Sequence, residues 1–180
     1  MLRHGAGKVF VDCGANVGDI AAIALRHGMV VHAFEPDPIA AAELRRRLGS
    51  HRMITIHQVA VGASARHETL RGSGTATLES TEGTSFYVHA RNDGARQIEV
   101  EVVDLFEFIP SLDQPVAAVK LDIEGAEFEI LERMLGERLA APFIFVETHE
   151  GFSPDFGRRL AAIRARIKLE RVQNVYFGWP

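Results

Sequence analysis

Three short stretches of this 180-residue chain put acids, glycines and a lysine where a folded enzyme would use them. In the first, VDCGANVGD from Val11 to Asp19, Asp12 precedes a turn made by Gly14, Ala15, Asn16 and Gly18. Glycine lets the backbone turn tightly and approach a ligand with no Cβ in the way. The helix that follows points its N–H groups and positive dipole end at the same place. Asp12 suits a positively charged ligand group, such as an amino-acid ammonium, better than a pyrophosphate. Glycine serves a plain strand-to-helix turn equally well, so Asp12 and Asn16 carry the ligand reading. Asn16 also stands at the second glycine of the dinucleotide fingerprint G-x-G-x-x-G, which argues against a nicotinamide dehydrogenase.

In the second stretch Glu35, followed by Pro36, closes an apolar run about 20 residues beyond Gly14, the spacing at which an acid hydrogen-bonds a ribose diol. Further along, Gln58 and Val59 could line an adenine slot, the amide bonding the base and the valine packing on its face.

The third stretch, Lys120 to Glu127, is the densest polar cluster. A lysine inside an apolar strand is costly unless its charge is paired, and Asp122 or Glu124 is the expected partner. Glu127 reads as an acid at a helix N-terminus, a place worth roughly 0.3–1 kcal/mol. Glu147 and His149 share one face of an extended segment. With Asp122 they could form a general base. Asp122, Glu124, Glu147 and His149 could instead surround Mg²⁺, an oxygen-rich choice that is the less favoured alternative.

These residues need a scaffold, and the hydrophobic pattern supplies one. Apolar strand-like runs at Val9–Val11, Val30–Phe34, Met53–Val61, Ile98–Val103, Ala117–Leu121, Phe143–Val146 and Glu170–Phe177 alternate with helical patterns. The helices are expected over Val17–His27, Pro38–Leu48, Asp104–Ile109, Glu124–Leu135 and Pro154–Ile167, with Asp37 capping the second and Pro38 opening it. Such alternation predicts an α/β chain with a mostly parallel sheet and helices on both faces. Ligands of such sheets bind beyond the carboxyl ends of the strands, where the three stretches fall. The segment from Gly62 to Gln97 breaks the pattern with Gly, Ser, Thr and Glu. It reads as a β-rich insertion, with short pieces near Glu68–Leu70, Thr75–Leu78 and Phe86–His89, long enough to cover a binding site.

Composition narrows the partners. With 47% hydrophobic and 24% charged residues and a net charge of −4, the chain reads as one globular domain with no call for nucleic acid or an anionic membrane. Arg45, Arg46 and Arg47 read as a solvated helix face. The single cysteine, Cys13, forbids an intrachain disulfide and reads as a buried thiol rather than a nucleophile. Most of the eight histidines are expected to be exposed, with His149 the exception. No signal peptide or membrane span is legible, which predicts a cytoplasmic protein.

Together VDCGANVGD, AFEPDP (Ala33–Pro38) and VKLDIEGAEFEIL (Val119–Leu131) resemble the FkbM-type S-adenosylmethionine-dependent methyltransferases, K-x-D-x-E-G-A-E being the most specific part. The resemblance implies a Rossmann-like class I methyltransferase fold, a seven-stranded sheet with an antiparallel last strand. It implies O-methylation of a sugar, polyketide or similar hydroxyl acceptor, with S-adenosylhomocysteine as product. It assigns Asp12, Gly14, Asn16 and Gly18 to the cofactor loop, Glu35 to the ribose and Asp122 to the motif after the later strand. Lys120 would orient the carboxylates or stabilise an oxyanion, with His149 or Asp122 as base. A homo-oligomer is compatible with this reading, and a cofactor-binding scaffold without catalysis is its main rival.

Overall fold

The computed structural model describes residues 7–72, 96–137, 139, 141–149 and 154–178. Its first half is wound as expected: β1 (Val9–Cys13), α1 (Asp19–Arg26), β2 (Val30–Phe34), α2 (Pro38–Leu48) and β3 (Ile54–His57). Asp37 accepts a 2.8 Å bond from the Ile39 amide and Pro38 opens the helix, so α2 starts where the cap and the proline require. The run Met53–Val61 is not one strand, however. β3 ends at His57, and β4 (Ala60–Gly62) joins a second sheet with β5 (Arg66–Gly72) and β6 (Arg96–Asp104), in the order β4-β6-β5. β5 contains the expected Glu68–Leu70 piece, whereas Thr75–Leu78 and Phe86–His89 lie outside the described residues.

After β6 come α3 (Leu105–Phe108), a 3₁₀ turn, β7 (Val116–Leu121), α4 (Glu127–Gly136), β8 (Ile144–Val146), α5 (Pro154–Leu169) and β9 (Val175–Phe177). The main sheet has the order β3-β2-β1-β7-β8-β9. All of its pairings are parallel, β8 with β9 included. The seven-stranded count and the antiparallel last strand are therefore corrected to six parallel strands among the described residues. The cause is α5. A helix between β8 and β9 returns the chain to the starting edge, so the next strand runs parallel, whereas an antiparallel neighbour is what a short hairpin gives.

Alternating side chains of the sheet feed two cores. Val9, Val11 and Cys13 pack with Val119, Leu121, Phe128, Leu131 and Phe156 on one face. Phe10, Val31, Ala33 and Ala118 pack with Ala21, Leu25 and Leu44 on the other. Cys13 is fully buried and burial pushes its thiol pKa up, so it is core, as expected. The small sheet is fastened by arginines. Arg133 of α4 lies 4.2 Å over the Phe106 ring, donates to the Ala63 carbonyl and bonds Asp104 at 2.7 Å. Arg46 and Arg47 make surface pairs with Glu43 and Asp19, the solvated face that was expected. Among the described residues no helix is long and apolar enough to cross a membrane.

Two histidines that composition treats as bystanders are packed instead. His57 stacks on Phe34 with ring centroids 4.4 Å apart, and His32 Nδ1 lies 3.0 Å from His57 Nε2. Burial and the neighbouring His32 lower the His57 pKa to about 4. The unfolded chain then binds the extra proton between about pH 6.5 and pH 4, so stability falls as pH drops through that window. Buried carboxyls such as Glu35 act in the opposite direction over the same range. The His57 part is therefore read as the difference between wild type and a His57 variant in thermal melts from pH 7 to pH 5, on the order of 1–2 kcal/mol, discounted for a half-buried ring. The variant His57→Phe should lose distinctly less. Equal acid losses in both proteins would remove His57 as the cause.

Candidate functional site

β1 is the first strand, and the chain then winds outward to β2 and β3 on one side and, later, to β7, β8 and β9 on the other. The gap between the carboxyl ends of β1 and β7 is thus the topological switch point, where open α/β sheets form a ligand crevice. Asp12 and Lys120 are register partners across it.

Lys120 is 4% exposed, and its ammonium reaches three acceptors. It donates to the Gly14 carbonyl at 2.7 Å and lies 3.0 Å from Asp122 Oδ2 and 3.4 Å from Asp12 Oδ1. Burial pulls its pKa down, but the charges of Asp12 and Asp122 more than offset that, so it stays a cation. The positive group beside Asp12 is therefore supplied by the protein itself. Asp12 is fully buried, its pKa raised by that burial against the pull of Lys120, and neither carboxylate oxygen accepts a well-aligned hydrogen bond.

The loop after β1 is also tied inward. The Gly14 and Ala15 amides both donate to the Phe34 carbonyl, at 3.0 and 2.9 Å, and the Gly18 amide donates to the Ala15 carbonyl at 2.8 Å. Asn16 adopts a positive φ of 45° and gives its amide to Glu35 Oε2 at 2.8 Å. The glycines answer to the protein as much as to a ligand. At Gly14, with φ 77°, an added Cβ would sit 1.8 Å from the Asp122 carbonyl oxygen. At Gly18, with φ 91°, it would meet Leu44 at 2.4 Å. Both positions therefore need glycine for conformation and for close packing.

Glu35 sits between two loops. Its oxygens accept the Asn16 and Asp37 amides, each at 2.8 Å, and the residue is 7% exposed. Burial raises its pKa to about 7, opposed by those two amide bonds. Each oxygen keeps a lone pair beyond the amide it accepts. Gln58 is exposed and takes a 2.8 Å bond from Arg45, while Val59 packs on the main core. Pro36 is half-buried beside Glu35.

The tip of β7 leads into a second group. His149 Nε2 lies 3.4 Å from Glu124 Oε2 and 3.7 Å from Asp122 Oδ1. Its Nδ1 is 3.0 Å from Glu127 Oε1, which also accepts the His149 amide at 3.0 Å. Burial lowers the His149 pKa, but the bond and charge of Glu127, then Glu124 and Asp122, carry it up to about 9. The ring is therefore charged at neutral pH, and as a base it would act only after losing that proton. Glu127 departs from its sequence reading. It is fully buried and also accepts the Gly125 amide at 2.8 Å, so it anchors His149 rather than decorating a helix end. Glu147 is exposed after β8, and the group that converges is Asp122, Glu124 and His149. The shared face read for Glu147 and His149 ends with the strand, because β8 stops at Val146.

Three comparisons with known proteins bear on this arrangement. A family model described as "Methyltransferase FkbM domain" matches residues 12–172. The 31-O-demethyl-FK506 methyltransferase FkbM of Streptomyces tacrolimicus is 32% identical over 163 residues, which cover 72% of this chain and 62% of that protein. A crystal structure of methyltransferase FkbM from Methylobacillus flagellatus KT aligns with 90% of this chain and 37% of its own, at 19% identity and a TM-score of 0.49. The chain thus spans only part of the length of either protein.

Proposed function

This chain belongs to the FkbM methyltransferase family, and we propose that it binds S-adenosylmethionine at the β1–β7 switch point and methylates a hydroxyl of a sugar, polyketide or other small molecule. The observation that carries this reading is Glu35. A nearly buried carboxyl whose pKa has risen to about 7 is short of solvation, and two ribose hydroxyls are the donors that would restore it. The donor set fits the rest of such a cofactor. Asn16 borders the same loop, Asp122 faces the amino-acid end from β7, and Val59, with Gln58 beside it, offers an apolar surface for the base. The name of the Streptomyces relative describes an O-methyl acceptor for that protein, which favours oxygen as the acceptor here.

When bound, S-adenosylmethionine supplies a methyl group already activated on a sulfonium sulfur. The protein is left with alignment, worth up to several kcal/mol when reacting atoms are held together, and with the proton and charge of the acceptor oxygen. Lys120 contributes by fixing the Gly14 carbonyl and the Asp122 carboxylate in one geometry. Asp122 orients the acceptor hydroxyl and can take its proton. His149, charged at neutral pH and held by Glu127, stabilises negative charge developing on that oxygen.

Calorimetry with S-adenosylmethionine and S-adenosylhomocysteine, followed by transfer of a labelled methyl group to a panel of hydroxyl compounds, tests the proposal. Folded protein with no affinity for either nucleoside would end it. Because hydroxyls donate best to an ionised carboxylate, affinity should rise with pH up to about 7 and then level off. A drop approaching tenfold per pH unit is expected below that point. The Glu35→Gln variant should bind more weakly and without the slope. A slope that survives in Glu35→Gln would assign the titration to another group.

A further inference from the structure

We infer that Asp122, Glu124 and His149 form a site for a divalent first-row cation, with the buried Glu127 as the carboxylate that orients its histidine ligand. One nitrogen and two carboxylate oxygens, one from each residue, all lie within 4.8 Å of one another. Neighbouring ligands of a six-coordinate ion at about 2.0–2.2 Å stand roughly 3 Å apart. The His149 Nε2 distances of 3.4 and 3.7 Å to Glu124 and Asp122 need only a small contraction to reach that shell.

The histidine is held as metal-bound histidines are held. Ligating imidazoles almost always give their second ring N–H to a carboxylate, backbone carbonyl or water, which fixes tautomer and ring orientation. Here Nδ1 is 3.0 Å from Glu127 Oε1, and Glu127 is itself fixed by the Gly125 and His149 amides and has no exposed surface. That bond turns Nε2 toward the two carboxylates. Exposed acids that merely gather on a surface lack such a support.

Imidazole suits the later first-row ions and carboxylates suit Mg²⁺ and Mn²⁺. A mixed N/O set therefore points to a borderline ion, for which Mn²⁺ is the practical probe. Three protein ligands leave positions open for water and for an acceptor hydroxyl, whose proton such an ion makes easier to lose. Binding the ion releases the His149 proton, so the ion would replace the imidazolium charge described above. That part in methyl transfer rests on the function proposed above, and the binding itself does not.

The test is a titration of the full chain with Mn²⁺, followed by electron paramagnetic resonance, without nucleoside or acceptor. Saturable binding of one ion per chain is expected. His149→Ala and Asp122→Asn should each weaken it at least about tenfold, and Glu127→Gln about 10–100-fold, the usual effect of losing an outer-shell partner. Glu124→Gln provides a check at the remaining ligand, and Glu147→Gln should leave the titration unchanged. Circular dichroism on each variant separates loss of the ion from loss of the fold. Absence of saturable binding by the wild-type chain, or binding that persists in folded His149→Ala and Glu124→Gln proteins, overturns the inference. Since no S-adenosylmethionine is present, that failure leaves the nucleoside proposal standing. Conversely, a protein that takes up Mn²⁺ but not the nucleoside keeps the ion site and loses the nucleoside proposal.

Discussion

Replacing Lys120 with alanine should cost the folded chain about 3–5 kcal/mol at neutral pH, the usual penalty for removing one partner of a buried ion pair. Urea unfolding followed by circular dichroism would measure it. The magnitude follows from what the ammonium leaves behind. Asp12 has no exposed surface and no well-aligned donor of its own, and the Gly14 carbonyl loses its 2.7 Å bond. Against a typical total of roughly 5–15 kcal/mol, such a loss threatens folding at ordinary temperatures. Part of it is recoverable. Without Lys120 the buried Asp12 can take up a proton, so the deficit should shrink as pH falls. The double variant Asp12→Asn with Lys120→Met removes both charges and should regain most of the stability. Losses that simply add in the double variant, or a single variant within about 1 kcal/mol of wild type, would show that the pair does not fasten the two strands.

The second large effect is on turnover. With an acceptor in hand, His149→Ala should lower single-turnover methyl transfer by about 10²–10⁴-fold, the range for loss of one group acting on a transferred proton or its charge. S-adenosylmethionine affinity by calorimetry should stay within a few-fold, because the proposed function gives His149 a part at the acceptor oxygen and gives the ribose to Glu35. The ring also supports Glu127, so alanine carries a folding cost from a carboxylate that loses a donor. His149→Asn is the control, since its amide can replace Nδ1–H toward Glu127 while offering no imidazole. If asparagine restores stability but not rate, the chemistry belongs to the ring. If it restores both, His149 is only a structural prop.

Much of this site could be read from the chain alone, for definite reasons. Asp37 and Pro38 announce a helix start because capping and a fixed φ are local properties. Gly14 and Gly18 announce a turn because few other residues hold φ near 80–90°. Lys120 announces a buried partner because an apolar strand cannot leave an ammonium unpaired. The chain did not reveal Glu127 as a buried anchor, since an acid at a helix N-terminus has a sufficient local explanation. Nor did it show His32 and His57 as packed rings, or that Glu147 stands outside the set read as Asp122, Glu124, Glu147 and His149. One signal was available for the first of these. A fully apolar helix face from Phe128 to Leu135 leaves the acid that opens it at the rim of the core.

Sequence by itself determined the alternating α/β order, the helix caps and the three polar stretches at strand ends, because periodicity, capping and φ preferences act over a few residues. Tertiary structure alone decided that β9 runs parallel, that Lys120 reaches a carbonyl 106 residues away, and that Glu127 stands under His149. Those outcomes depend on which segments lie side by side, and segments far apart in the chain carry no local trace of one another. Burial then sets the charges. The same carboxyl group is ordinary in water and shifted to about 7 at Glu35, because the fold and not the residue type removes its solvent.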